Sequence, residues 1–524
     1  MLAKLTTRLT VRRSALTGAV GLAVLAAGLP TGTARDTGDP DLTRFYRQKV
    51  AWAKCDGESM PKDLQCGKVT VPLNYAKPKS GTLDLALARY KATGKSRGSV
   101  VLNFGGPGGA GVPQLAFGGD DFMDLTDGYD VVTFDPRGVG RSSPVSCGDG
   151  SEQASEAMNT DTDITEDPQT LLKQLRRAAA LCVKHSGPVL PHIGTVNASR
   201  DLDVIRQAIG DKKLNYLGFS YGTRLGAVYA TQFPKKVGRL VLDGVDTLTE
   251  PLTKQAYVGS EGQQNALDDF VAWCAEDDVA CPLGTDSRMA REHVVDLVES
   301  LDDDPVPTDF GDNFTGQDLV AALSQALYSR DMWPTLERAI ASLVENGDPH
   351  GLLALSGGGL ARDGDGGLVD EEDVPYDNLQ AALLAINCAD DPDRPTADWI
   401  TKNLDRLRTQ YEKASPVFGD YRLTEVLMCY GRPKGTDFIR KEVRDVDTPK
   451  MLLVGTRGDP ATPYRWTTET AKRLGSSAVV LDNKGEGHTG YSASKCVHKK
   501  VDDFLLYGSL PASGSSCGSE HDED

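Results

Sequence analysis

Three residues of this chain are of the types that together transfer acyl groups: Ser220, Asp459 and His488. Ser220 lies in Gly218-Phe219-Ser220-Tyr221-Gly222, after the largely apolar run Leu214-Asn215-Tyr216-Leu217 and before a helix start rich in small residues. A serine between a strand and a helix, with glycines where a Cβ would crowd the turn, presents its hydroxyl at the top of a sheet. His488, in Gly485-Glu486-Gly487-His488-Thr489-Gly490, is placed to take that hydroxyl's proton and pass it to a leaving group. Asp459, in Gly458-Asp459-Pro460, would hold the imidazole tautomer and stabilise the imidazolium. The order Ser, Asp, His separates this set from the other serine-protease arrangements. His185, His192, His293, His350 and His498 have no glycine-flanked setting at a strand end, and His521 lies in the tail.

The serine pattern alone is weak evidence. Gly514-Ser515-Ser516-Cys517-Gly518 matches the same string, but no apolar run precedes it and residues 511–524 read as a polar tail. What distinguishes Ser220 is the set of elements around it. Buried-strand runs occur at Gly98–Phe104, Tyr129–Phe134, Val237–Val245, Pro449–Gly455 and Ser477–Leu481, with helical patterns among them. This is the texture of an α/β fold with a mostly parallel central sheet. Lys68–Pro72 and Leu83–Tyr90 read as two further strands around a turn, Leu42–Ala53 as a helix, and Val196–Ile205 as a capped helix. In Asn197-Ala198-Ser199 a helix cap is the expectation, ahead of a glycosylation acceptor. From Thr247 to Val446 helical periodicity takes over, which predicts a helical cap inserted between late strands. The acidic, glycine-rich Asp363–Asp373 has Leu368 and Gly367 where a calcium loop needs its glycine and an oxygen ligand, so it reads as a solvated loop.

Gly105-Gly106-Pro107-Gly108-Gly109-Ala110-Gly111 follows the first buried strand and would let backbone N–H groups point at a ligand. Gly106-x-Gly108-x-x-Gly111 is also formally a dinucleotide fingerprint, with Asp135 closing the next strand, which would make the chain an oxidoreductase. Pro107 between the first two glycines and the lack of a convincing helix in Val112–Phe122 argue against it.

The glycine loop, Asp135-Pro136-Arg137-Gly138-Val139-Gly140-Arg141-Ser142-Ser143 and Gly-Phe-Ser-Tyr-Gly, in that order, resemble the proline iminopeptidase branch of the α/β-hydrolases. Trp52-x-x-Cys55, Cys66-x-x-Val69-x-Val71-Pro72-Leu73-x-Tyr75 and Asn103-x-Gly105-Gly106-Pro107-Gly108 narrow the likeness to the secreted bacterial tripeptidyl aminopeptidases, over nearly the whole mature chain. The resemblance implies an α/β-hydrolase fold and release of short peptides, tripeptides above all, through an acyl-enzyme. It implies an oxyanion hole from the backbone N–H groups of Tyr221 and Gly106. Phe104 stands where that branch has a histidine, so any role of the histidine is absent here.

The domain division that follows is a signal peptide (1–34), a first part of the hydrolase core (35–246), a helical cap (247–446), the last part of the core (447–510) and the tail (511–524). Lys4, Arg8, Arg12 and Arg13, then Ala15–Leu29 and Gly32-Thr33-Ala34, are the parts of a secretion signal, and Arg12-Arg13 admits twin-arginine export. A formal net charge of -18 argues against nucleic acid or anionic membranes as partners. Ten cysteines fit an oxidising compartment, and pairing of neighbours would join Cys55 to Cys66, Cys147 to Cys182, Cys274 to Cys281, Cys388 to Cys429 and Cys496 to Cys517. No Cys/His cluster has zinc spacing, and no cofactor is implied.

A triad specifies acyl transfer and not its substrate. An aminopeptidase also needs an anion for the substrate's ammonium group, and Glu486, Asp390 and Asp391 are the candidates. A secreted carboxylesterase would keep the triad without that anchor. A hydrolase fold used only for binding would normally have lost a triad member, and all three are present.

Overall fold

Val100, Val101 and Leu102, like Leu452, Leu453 and Val454, are completely shielded from solvent, as strands covered by helices on both faces must be. The computed structural model describes residues 40–57, 59–148, 168–276, 281–308, 313–356, 374–391, 394–435 and 443–518. The leader (1–34) and the Asp363–Asp373 loop lie outside the described residues. The strands are β1 (Ala53–Lys54), β2 (Gln65–Pro72), β3 (Thr82–Tyr90), β4 (Ser99–Asn103), β5 (Asp130–Phe134), β6 (Leu214–Phe219), β7 (Val237–Asp243), β8 (Val306–Pro307), β9 (Asn313–Phe314), β10 (Met451–Gly458), β11 (Ala478–Glu486) and β12 (Ser516–Cys517). Ten of them form one sheet in the order β1-β2-β3-β5-β4-β6-β7-β10-β11-β12. The pairs β1/β2, β2/β3 and β3/β5 are antiparallel and the rest are parallel.

Parallel neighbours end at the same edge, and here the register makes that edge the site. Asn103 pairs with Gly218, Phe219 with Asp243, Asp243 with Val454, and Gly458 with Glu486. The glycine loop after β4, the Ser220 turn after β6, the Asp459 loop after β10 and the His488 loop after β11 therefore emerge side by side, as ligand sites of such sheets do.

Between β7 and β10 the chain is mostly helical: Leu252–Ala275, Ser287–Asp303, Gly316–Ala326, Trp333–Asn346, His350–Leu355, Asn378–Asp390, Ala397–Ala414 and Gly419–Leu427, with the small β8/β9 hairpin. One apolar cluster, with Phe270, Trp333 and Phe418 in it, belongs to this insertion alone. Among the described residues no helix is long and apolar enough to cross a membrane. All five neighbour pairs of cysteines are at bonding distance.

Four local expectations change. The helix expected over Leu42–Ala53 is only Thr43–Tyr46, and Ala53–Lys54 instead pairs with β2. Asn197 does not cap a helix: it lies inside Thr195–Ala208, is buried and accepts a bond from Arg200, while Asp390 from the insertion accepts the Thr195 N–H at 2.8 Å. The tail is not wholly free, because Ser516–Cys517 adds an edge strand to β11 and Cys517 bonds to Cys496. Val112 does enter a helix, Gly111–Gly118, but its N–H is taken by the Asp135 carboxylate at 2.9 Å. The acid that a dinucleotide site would turn toward a ribose is buried here and engaged at that helix N-terminus, which removes the ground for the oxidoreductase reading.

Arg137 explains the Asp-Pro-Arg-Gly segment. Its guanidinium is fully buried and makes a bidentate pair with Asp201 at 2.7 and 2.6 Å. Its remaining N–H groups reach the carbonyls of Leu73, His192 and Pro72, and Tyr75 donates to Asp201 at 2.8 Å. Arg137→Met would leave the Asp201 charge buried and unpaired, so unfolding in urea should show a loss of about 3–5 kcal/mol. A loss below about 1 kcal/mol would show that the pair is dispensable.

Candidate active site

Ser220 has φ 55° and ψ −125°, a backbone conformation that a side chain rarely adopts. Its N–H donates to the Asp243 carbonyl at 2.9 Å, and its own carbonyl accepts from the Thr223 N–H and hydroxyl. The flanking glycines are required by space. A Cβ on Gly218 would come within 2.5 Å of Tyr216 Cε1, and one on Gly222 within 2.6 Å of the Asn103 carbonyl oxygen. Gly105 lies closest to the turn, where a Cβ would meet Ser220 Cβ at 2.9 Å and the Tyr221 nitrogen at 3.3 Å. Among the described residues, the N–H groups of Tyr221 and Gly106 donate no hydrogen bond. They are the two N–H groups expected to receive an oxyanion.

His488 Nδ1 is 2.9 and 3.0 Å from the two Asp459 carboxylate oxygens. Asp459 also accepts the N–H groups of Ala461, Thr462 and Thr489 and the Thr462 hydroxyl, at 2.7–3.2 Å. Its carboxylate is buried and cannot turn away from the imidazole. With Nδ1 facing the carboxylate, Nε2 is the nitrogen left for proton transfer. Burial disfavours the imidazolium, but the charge and hydrogen bond of Asp459 together with the charges of Asp243 and Asp246 outweigh it, and the His488 pKa lies above the ordinary histidine value of 6.5.

Asp243 joins the two halves of the site. Its carbonyl holds Ser220, its carboxylate accepts the N–H groups of Gly490 and Tyr491 at 2.8–3.0 Å, and a Cβ on Gly244 would lie 3.3 Å from His488 Cε1. Burial pushes the Asp243 carboxyl up to about 6. From the insertion, the Tyr328 carbonyl accepts the His488 N–H at 2.8 Å and the Tyr328 ring stands edge-on to the imidazole, centres 5.0 Å apart. Sequence reasoning missed Thr462, Asp243 and Tyr328. The first two had signals, a hydroxyl three residues after Asp459 and an aspartate closing a strand. Tyr328 had none, because its position depends on how the insertion packs.

Phe104, in place of the branch's histidine, stacks on Phe219 and meets the edge of Phe122 beneath the glycine loop. Above that loop, a Cβ on Gly108 would strike the Leu379 carbonyl oxygen and the Leu383 nitrogen at 2.8 and 2.9 Å, so the insertion's helix Asn378–Asp390 rests on it.

The three expected amine anchors are not brought together, and each is already engaged. Glu486 pairs with Arg330 near the surface. Asp390 is buried, bonded to the Thr195 N–H and hydroxyl, and faces Arg224 at 3.5 Å. Asp391 is buried and accepts the Leu252 N–H at 2.8 Å. The cavity that Asp390 and Asp391 line with Arg224 holds about 10 Å³, space for a water and not for an amino-acid residue.

Residues 98–331 match the family described as alpha/beta hydrolase fold, and residues 415–517 the family described as TAP-like protein. The chain is 33% identical to the serine protease Hip1 of Mycobacterium tuberculosis, covering 90% of this chain and 91% of that one. It is 32% identical to a tripeptidyl aminopeptidase of Streptomyces coelicolor, over 90% and 87% of the two chains. A carboxylesterase B of Mycobacterium tuberculosis is also 32% identical, over 87% and 86%.

Proposed function

Since the chain belongs to the tripeptidyl aminopeptidase and Hip1 family of α/β-hydrolase-fold serine hydrolases, we propose that it is a secreted exopeptidase releasing short peptides, tripeptides above all, from free N-termini. Ser220 attacks the scissile carbonyl while His488 Nε2 takes its proton. The tetrahedral oxyanion sits between the N–H groups of Tyr221 and Gly106, each worth about 3–4 kcal/mol to the transition state. His488 then protonates the leaving amine, and water releases the acyl-enzyme by the same steps. Asp459 keeps Nδ1–H toward itself and stabilises the imidazolium. The observation that carries this reading is the His488–Asp459 pair at the sheet edge from which the strained Ser220 turn emerges. Export rests on the basic, then apolar leader and on five disulfides, which persist in oxidising compartments.

The relative named carboxylesterase B keeps an esterase as the second reading. Hydrolysis of a tripeptide p-nitroanilide with a free amine, compared with its N-acetylated form, separates the two. The exopeptidase should favour the free amine by at least about tenfold, the size of one charged hydrogen bond. Equal rates would leave the esterase.

A further inference from the structure

Tyr491, three residues after His488, is fully buried and ties the catalytic loop to a second group of titratable side chains. Its N–H donates to Asp243 at 2.8 Å, and its ring lies against Phe122 and Phe219, the residue before Ser220, with centres 5.5 and 6.0 Å apart. The same ring stacks on the His498 imidazole, centres 4.2 Å apart, and its hydroxyl donates to Asp502 Oδ1 at 2.8 Å. His498 and Asp502 lie four apart on one face of helix Lys495–Asp502. The acyl-transfer steps use neither.

A third side chain completes the group. His498 Nε2, an Asp502 carboxylate oxygen and an Asp124 carboxylate oxygen all lie within 4.8 Å of one another. His498 Nε2 and Asp502 Oδ2 are 3.3 Å apart. That is longer than a charged N–H···O bond of about 2.7–2.9 Å. It matches the roughly 3.3–3.4 Å between two ligands that each bind one tetrahedral zinc at about 2.0–2.1 Å. Asp502 is buried and Tyr491 holds its other oxygen, while His498 is half-buried and lies flat on the Tyr491 ring. One buried residue thus orients both groups, as outer-shell partners orient metal ligands. Asp124 is exposed and can turn toward them. It comes from the segment Gly119–Asp127, whose charged residues are Asp120, Asp121, Asp124 and Asp127, with no basic residue among them. The charge of Asp124 reaches both His498 and Tyr491, and such a field favours a cation.

We propose that His498, Asp502 and Asp124 form a site for a zinc-class divalent cation, which ties helix Lys495–Asp502 to the segment Gly119–Asp127 and braces Tyr491 against the His488 loop. The fourth position is left to water. An imidazole nitrogen with two carboxylate oxygens suits zinc better than calcium, which takes about six to eight oxygens.

The test is zinc binding by the whole protein, stripped with EDTA, dialysed against micromolar free Zn²⁺ and assayed for bound metal. Wild type should retain a single Zn²⁺ per chain, and its thermal midpoint should rise by several degrees. Asp124→Asn, at an exposed position, should bind at least about tenfold more weakly. His498→Gln should bind none and lose the rise in midpoint. Asp120→Asn, a neighbouring acid outside the group, should bind as wild type does. Wild type without zinc would overturn the proposal, and so would zinc held equally well by Asp124→Asn and His498→Gln, which would place the metal elsewhere. An equal loss in Asp120→Asn and Asp124→Asn would reduce the site to diffuse charge and overturn it too. If His498→Gln does not fold, the comparison of Asp124→Asn with Asp120→Asn decides alone. Neither readout uses turnover, so the result does not depend on the exopeptidase reading.

Discussion

Ser220→Ala is expected to lower peptidase kcat/KM by ~10⁴–10⁶-fold while leaving a folded protein. The size follows from the division of labour at the site. Without the hydroxyl no acyl-enzyme forms, and what remains is the activation of water by the oxyanion donors and substrate binding. The substitution removes one oxygen from a partly exposed position whose backbone is held by Asp243 and Thr223, so the thermal midpoint should move by no more than a few degrees. Fluorophosphonate labelling gives a second readout. The wild type should be labelled at Ser220 and the variant at no serine. Label at Ser516, or retained turnover, would place the nucleophile elsewhere. Ser516 is a poor competitor because it lies in an edge strand tied down by the Cys496–Cys517 disulfide.

The second large effect is expected at Asp459. Asp459→Asn should reduce kcat by about 10⁴-fold, because the amide permits the wrong imidazole tautomer and stabilises the imidazolium less. It should also move the acid limb of the pH profile. His488 acts as a base only when neutral, so kcat/KM falls as pH drops through its pKa. Asp459 holds that pKa above 6.5, and the wild-type midpoint should lie there. With the carboxylate gone, burial of the imidazole is opposed only by the smaller effects of the Asp243 and Asp246 charges, so the limb should shift to lower pH. A limb that stayed in place would mean that a different acid faces Nδ1. Asp243 is the neighbour to examine in that case, since its charge also reaches His488, although its carboxylate is engaged by the N–H groups of Gly490 and Tyr491.

The candidate triad was legible because each member sits within a few residues of a strong local signal. Gly218 and Gly222 mark a turn that no larger residue could make, and Gly487 and the strand Ala478–Glu486 mark the loop of His488. Parallel β-sheet geometry converts such local signals into a site, since strands in register deliver their following loops to one edge. Where local pattern had no such constraint, expectation and structure part. Leu42–Ala53 has helical spacing, yet most of it is extended, Ala53–Lys54 pairing with β2. Val112–Phe122 looked too irregular for a helix, yet Asp135, far away in sequence, captures its first turn.

By itself the sequence singled out the candidate chemistry: a serine, an acid and a base, in that order, on a mostly parallel sheet. Those choices are encoded by backbone constraints a few residues long, and by strand order that leaves little freedom once the sheet forms. Only the tertiary structure decided what each carboxylate is doing. Asp390 and Asp391 had the right position in the chain to bind an amine, but burial beside Arg224, Thr195 and Leu252 uses their oxygens.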